Sequence, residues 1–162
     1  DAGLVAGVAQ TADGTDRAAF WRDGEMIDLG TLGGADAGAR AVNGCGQVVG
    51  AARTGDGALQ AFLWADGTMV DLGTLDDSRH SRALGINDRS HVVGVAAGPA
   101  ATRDRHRAVL WRDRAISDLN ALIDDATGWQ LSEARDINDR GQIVGKGALG
   151  DTELGFLLTP DA

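Results

Sequence analysis

The sequence predicts an all-β protein built from tandem four-stranded repeats, and three observations carry the prediction. AAFWRDGEMIDLGTL (18–32), AFLWADGTMVDLGTL (61–75) and AVLWRDRAISDLNAL (108–122) are copies of one another. A second block, VNGCGQVVG (42–50), INDRSHVVG (86–94) and INDRGQIVG (137–145), is interleaved with them. No segment carries a convincing helical period of 3.6 residues, and NALIDDATGWQLSEARDIN (120–138) has room for one short helical turn.

The repeat aligns Trp21, Trp64 and Trp111, and GFLLTP (155–160) places Leu158 at the same position. It also aligns Asn43, Asn87 and Asn138. The chain opens on the tail of that block, DAGLVAG. The units fall at about 1–45, 46–89 and 90–140, with a half unit at 141–162, in a single domain.

Each unit reads as four strands. The VVG segment is rich in β-branched residues and is the first. AFLW is apolar at four consecutive positions, so the second strand needs cover on both faces. The third alternates, with Met69 and Asp71 facing one way and Val70 and Leu72 the other. The fourth ends in IN, as in RALGIN (82–87). RDG (22–24), ADG (65–67) and NDR (87–89 and 138–140) supply the turns. Four-stranded units that stack on neighbours predict a small β-propeller. A closed β-barrel or trefoil-like arrangement also accommodates three such repeats. About fourteen strands are expected, two short of four complete blades. Closure then calls for an upstream strand pair or for a homodimer that completes the ring.

Composition bounds function. At 162 residues and 43% hydrophobic, the chain has enough material for a core. A net charge of −9 argues against nucleic acid and anionic membrane as partners, because phosphates would be repelled. The one cysteine, Cys45, cannot form an internal disulfide. No apolar run reaches the length of a membrane span.

The repeated unit, and above all DLNALIDDATGWQLSEARDINDRGQIVGKGALGDTELGFLLTP (118–160), resembles the HAF repeat family, a bacterial group of repeat proteins held to be extracellular. The resemblance covers essentially the whole chain. It implies a repeat scaffold, often exported, and transfers no catalytic motif. Many family members are about twice this length, and many begin with a DLGTLGG-type strand and an IN-ending partner that this sequence lacks.

Few residues stand out as chemistry. GxSxG, HExxH and Cys/His clusters are all missing, and no cofactor is expected. His80, His91 and His106 fall in three different units, with His80 and His106 in charged, loop-like stretches that read as solvated. Asp28, Asp71 and Asp118 read as turn caps. A ring of these three around an axis would be a weak candidate metal site. Asn43, Asn87 and Asn138 read as structural, and the three aligned tryptophans as core. Trp129, in the insertion of the last repeat, reads as the lip of a site.

Departures from the repeat are the other clue. Ala41, Gly85 and Asp136 are equivalent, as are Gln47, His91 and Gln142, and Gly38, Arg82 and Glu133. Strict alternation would put Asp136 on a small-residue face with Ala134 and Asn138. Desolvation there would raise its pKa toward that of a general acid, with His91 as the complementary base.

Two functions follow. One is a non-catalytic scaffold that binds a small molecule, glycan or protein at the propeller axis or loops, with Trp129, Glu133 and Arg82 as binding residues. The other is a small β-sheet enzyme, resembling a polyketide or spiroacetal cyclase, that rearranges a hydrophobic metabolite through Asp136 and His91. The family resemblance points to an extracellular location, and a biosynthetic enzyme would be cytoplasmic.

Overall fold

The structure, a computed structural model, describes residues 3–76, 78–97, 106–124 and 127–160. These residues form fourteen strands in four antiparallel sheets, with no α-helix. The first sheet holds β1 (Val5–Gln10), β2 (Asp16–Arg22) and β3 (Glu25–Asp28). The second is a meander of β4 (Gly33–Val42), β5 (Val48–Thr54), β6 (Leu59–Ala65) and β7 (Thr68–Asp71). The third repeats it with β8 (His80–Ile86), β9 (Val92–Ala97), β10 (His106–Arg112) and β11 (Ala115–Asp118). The fourth holds β12 (Trp129–Ile137), β13 (Ile143–Leu149) and β14 (Thr152–Leu158). A 3-10 segment, Leu119–Leu122, lies at the start of the stretch where the sequence allowed a helical turn.

The sheets cut the repeat at a different place from the sequence units. The strand ending in IN does not stay with the unit before it; it hydrogen-bonds to the VVG strand that follows, as β4 does to β5 and β8 to β9. The first sheet therefore corresponds to the last three strands of the second. The fourth corresponds to its first three.

Consecutive sheets pack face to face, and the VVG strand shows how. Its first valine faces the preceding sheet and its second faces the following one, as period-2 alternation requires. Val48, Phe62 and Trp64 of the second sheet meet Ala18 and Phe20 of the first. The Phe20 and Trp64 rings tilt at 56° with centroids 5.7 Å apart, a favourable aromatic geometry. On the other face, Val49 and Ala61 meet Val92, Val109 and Trp111 of the third sheet. Val93 and Leu110 in turn meet Ile143 and Phe156 of the fourth. The apolar AFLW strand is thus covered on both sides. The outermost faces are open: Val5 and Met26 are each 56% exposed on the first sheet, and Leu157 is 61% exposed on the fourth.

The glycine of VVG has a steric cause. The IN-ending strand bulges at the same place in all three copies, between Ala39 and Ala41, Ala83 and Gly85, and Ala134 and Asp136. The bulge drives a carbonyl onto the glycine opposite. A Cβ on Gly50 would lie 2.0 Å from the Gly38 oxygen, and one on Gly94 1.9 Å from the Arg82 oxygen.

The bulge also corrects the alternation expected for β12. Ala134 opposes Gly145 and is fully buried, whereas Asp136 opposes Val144 and is exposed. The extra residue shifts the phase, so Asp136 and Ala134 do not share a face.

Side-chain amides tie the sheets together. Asn43 Nδ2 donates to the Asn87 carbonyl at 3.0 Å, and Asn87 Nδ2 donates to the Asn138 carbonyl at 2.9 Å. In parallel, Gly44 N donates to Asp88 Oδ1 and Asp88 N to Asp139 Oδ1, at 2.7 and 2.8 Å. Each Asn Oδ1 meanwhile accepts two backbone N–H groups of its own turn. One residue type in one repeat position therefore folds its turn and joins it to the next.

Candidate functional site

The same groove opens twice between neighbouring sheets. Between the first and second, it has a volume of about 720 Å³ and is lined by Arg22, Ile27, Cys45, Gly46, Gln47, Trp64, Ala65, Asp66 and Gly67, among others. Between the second and third, it measures about 660 Å³. There Leu63, Val70, Leu72 and Trp111 form an apolar floor, and His91, Arg89, Arg112 and Arg114 stand around it.

The repeat alignment turns these two grooves into an internal comparison. Going from the first to the second, Cys45 becomes Arg89, Gly46 becomes Ser90 and Gln47 becomes His91. Ala65 becomes Arg112, and Gly67 becomes Arg114. The first groove carries one arginine and one aspartate. The second carries three arginines with Asp71 and Asp113. The scaffold is shared, so the added cations are a property of this one groove.

Backbone conformation sharpens the comparison. The β2–β3 and β6–β7 turns place glycine at a left-handed position, Gly24 and Gly67, both at φ 82°. Arg114 takes that position in the β10–β11 turn at φ 65°. A left-handed L-residue costs roughly 1–2 kcal/mol, and glycine avoids this. Ser90 similarly adopts φ 61° where Gly46 and Gly141 have 79° and 78°. Ser90 gains a compensating bond, since its hydroxyl donates to Gln47 Oε1 across the sheet boundary at 2.7 Å. Arg114 has no ion pair or side-chain hydrogen bond among the described residues. No such contact among the described residues offsets its conformational cost.

His91 is partly buried, and its backbone N–H donates to Asn87 Oδ1 at 3.0 Å. Burial, then the Arg112 guanidinium, and Arg89 to a lesser degree, lower its imidazole pKa from the usual value against an opposing effect of Asp113. Arg112 pairs with Asp113 at 3.8 Å on the exposed turn, while Asp71 Oδ1 is held by the Gly73 N–H at 2.7 Å. Trp111 is only 4% exposed, and its indole Nε1 is buried without an acceptor among the described residues. Such an orphan donor costs about 1–3 kcal/mol.

The residues singled out from sequence are dispersed. Asp136 lies on β12 with its Oδ1 bonded to the Ile137 N–H, and it is not among the residues lining the His91 groove. Glu133 pairs with Arg135 at 2.8 Å. Arg82 lines a separate 240 Å³ groove with Asp16, Asp36 and Arg40. Trp129 lines a 260 Å³ apolar groove with Ile123, Leu131, Phe156 and Leu158.

Asp28, Asp71 and Asp118 each accept a backbone N–H two residues on, at 2.8, 2.7 and 2.9 Å, which is the Asx-turn. They end β3, β7 and β11, the strands at the opposite sheet edge from β4 and β8. Asp28 and Asp118 also face Arg17 and Arg107. No group of three or more potential metal ligands occurs among the described residues. His80, read as solvated, is instead half-buried on β8, where its Nδ1 accepts from Leu59 N of the neighbouring sheet at 3.1 Å. Of the charged stretch 103–107, residues 103–105 lie outside the described residues.

Sequence reading singled out His91 but missed Ser90, Arg89, Arg112 and Arg114. For Ser90 and Arg114 the signal was present in the alignment: glycine in two copies and a side chain in the third, at positions where a turn requires left-handed backbone. Comparison with protein families, with curated proteins and with solved structures returned no match for this chain.

Proposed function

We propose that the chain is a non-catalytic binding module, a run of β-propeller blades whose inter-blade groove at His91 holds a ligand. The consecutive face-to-face packing of the four sheets and the adjoining strands β4, β8 and β12 support the propeller reading. The resemblance of the repeat to the HAF family, which implies a repeat scaffold and transfers no catalytic motif, supports the non-catalytic reading. The observation that carries the binding reading is Arg114. The turn takes glycine in both sister copies, and here it holds an arginine in left-handed backbone at the mouth of a groove. Strain kept without a compensating internal contact is typical of functional positions.

The test compares the chain with a variant in which this groove is given the first groove's residues: His91→Gln, Arg112→Ala and Arg114→Gly. A ligand-observed NMR screen of a small-molecule fragment set should give hits on the chain that vanish on the variant, while the variant's thermal midpoint holds or rises. Hits shared equally by both proteins, or no hits on the chain, would refute the reading.

A further inference from the structure

We propose that the groove between the second and third sheets selects a small amphipathic anion, with an apolar body on Leu63, Val70, Leu72 and Trp111 and a carboxylate or sulfonate head among Arg89, Arg112 and Arg114. This rests on the binding reading above and specifies its ligand.

The polarity of the groove is divided. Leu63 and Leu72 belong to the apolar cluster between the two sheets, together with Trp111. The arginines come from two separate turns, 87–91 and 112–115, and all three are exposed at the groove mouth. Arg89 and Arg114 have no ion-pair partner among the described residues, and Asp113 is shared only with Arg112. In a chain of net charge −9, the three guanidiniums outnumber Asp71 and Asp113 in the groove lining and leave it locally cationic. Guanidinium forks match the planar geometry of a carboxylate.

The volume of about 660 Å³ falls in the range of small-molecule pockets, roughly 300–1,000 Å³. A glycan fits less well. Sugar stacking needs an open aromatic face, and Trp111 is 4% exposed. His91, whose pKa burial and the Arg112 guanidinium hold below the usual imidazole value, adds a ring nitrogen that can join a hydrogen bond to the ligand.

The experiment is calorimetric titration with two pairs of probes, 2-naphthoate against 2-naphthalenemethanol and decanoate against decanol. The acids should bind at least ten-fold more tightly than their neutral partners, and added salt should erode the difference. Arg114→Gly and Arg89→Gln should each weaken the acids several-fold and leave the alcohols unchanged. Arg135→Gln, a charge change outside the groove, should alter nothing. Because Arg114→Gly relieves backbone strain, its thermal midpoint should hold or rise, which separates lost binding from lost folding.

Alcohols that bind as well as acids, with both weakened by His91→Gln and Arg112→Ala, would overturn the anionic ligand and leave the binding groove standing. Binding of acids that ignores Arg89 and Arg114 would place the anion elsewhere and overturn the proposal. No binding by any of the four probes would overturn both readings of the groove.

Discussion

Replacing Asn87 with alanine tests the idea that one amide both folds its turn and joins neighbouring sheets. Asn87 is 3% exposed. Its Oδ1 accepts from the Arg89 and His91 N–H groups at 3.0 Å each, and its Nδ2 donates to the Asn138 carbonyl at 2.9 Å. Alanine removes all three bonds and strands two backbone donors. At about 1 kcal/mol net for each bond, the loss is about 3 kcal/mol, more if the donors stay dry.

Asn138 makes an equivalent set, to the N–H groups of Arg140 and Gln142 and to Gln142 Oε1, but it is exposed. Water takes over there, so Asn138→Ala should cost about 1 kcal/mol or less. Urea unfolding, followed by both tryptophan fluorescence and far-ultraviolet circular dichroism, measures the two variants side by side. Coincident transitions establish that a single free energy applies to a repeat array. Equal losses for the two variants, or a loss under about 0.5 kcal/mol for Asn87→Ala, would show that the amide ladder does not hold the sheets.

Three further outcomes follow from the packing and the titrating groups. Gly94→Ala, which sets a Cβ 1.9 Å from the Arg82 oxygen, should cost about 3 kcal/mol or prevent folding. Gly7→Ala, whose Cβ meets only the Trp21 ring at 3.5 Å, should change stability by about 0.5 kcal/mol or less, and the same urea experiment compares them. Trp64→Ala opens the core between the first two sheets and should cost about 3–5 kcal/mol by thermal unfolding. His80 is held below its usual pKa by burial first and then by Arg79, Arg53 and Arg82, and His91 is shifted the same way. The unfolded chain therefore takes up these protons before the folded one does. Stability is full above the unfolded histidine value of about 6.5 and falls as pH drops below it. Midpoints measured from about pH 8 to 5 should show this slope, and His80→Gln should flatten part of it.

The sequence alone determined what recurs. Equal spacing placed the strands, because each copy must bury the same alternating positions against its neighbours. Asp at the strand ends and Asn at the repeated turns placed the Asx-turns, because those bonds close within two to four residues. The copies at Trp21, Trp64, Trp111 and Leu158 located one strand four times.

Tertiary structure decided what depends on a partner distant in sequence. Nothing local says that RALGIN pairs with the VVG strand after it, so the repeat units and the sheets came out of phase. The bulge that puts Asp136 out of phase with Ala134 is invisible to an alternation rule that assumes one residue opposite one. Arg89 and Arg114 lie on different turns, and only the packing of the third sheet against the second brings both to one groove. Arg89 stands where the sister copies have Cys45 and Arg140, whereas for Arg114 the sequence signature was a missing glycine, which marks a strained backbone position. Only the fold shows where that position points.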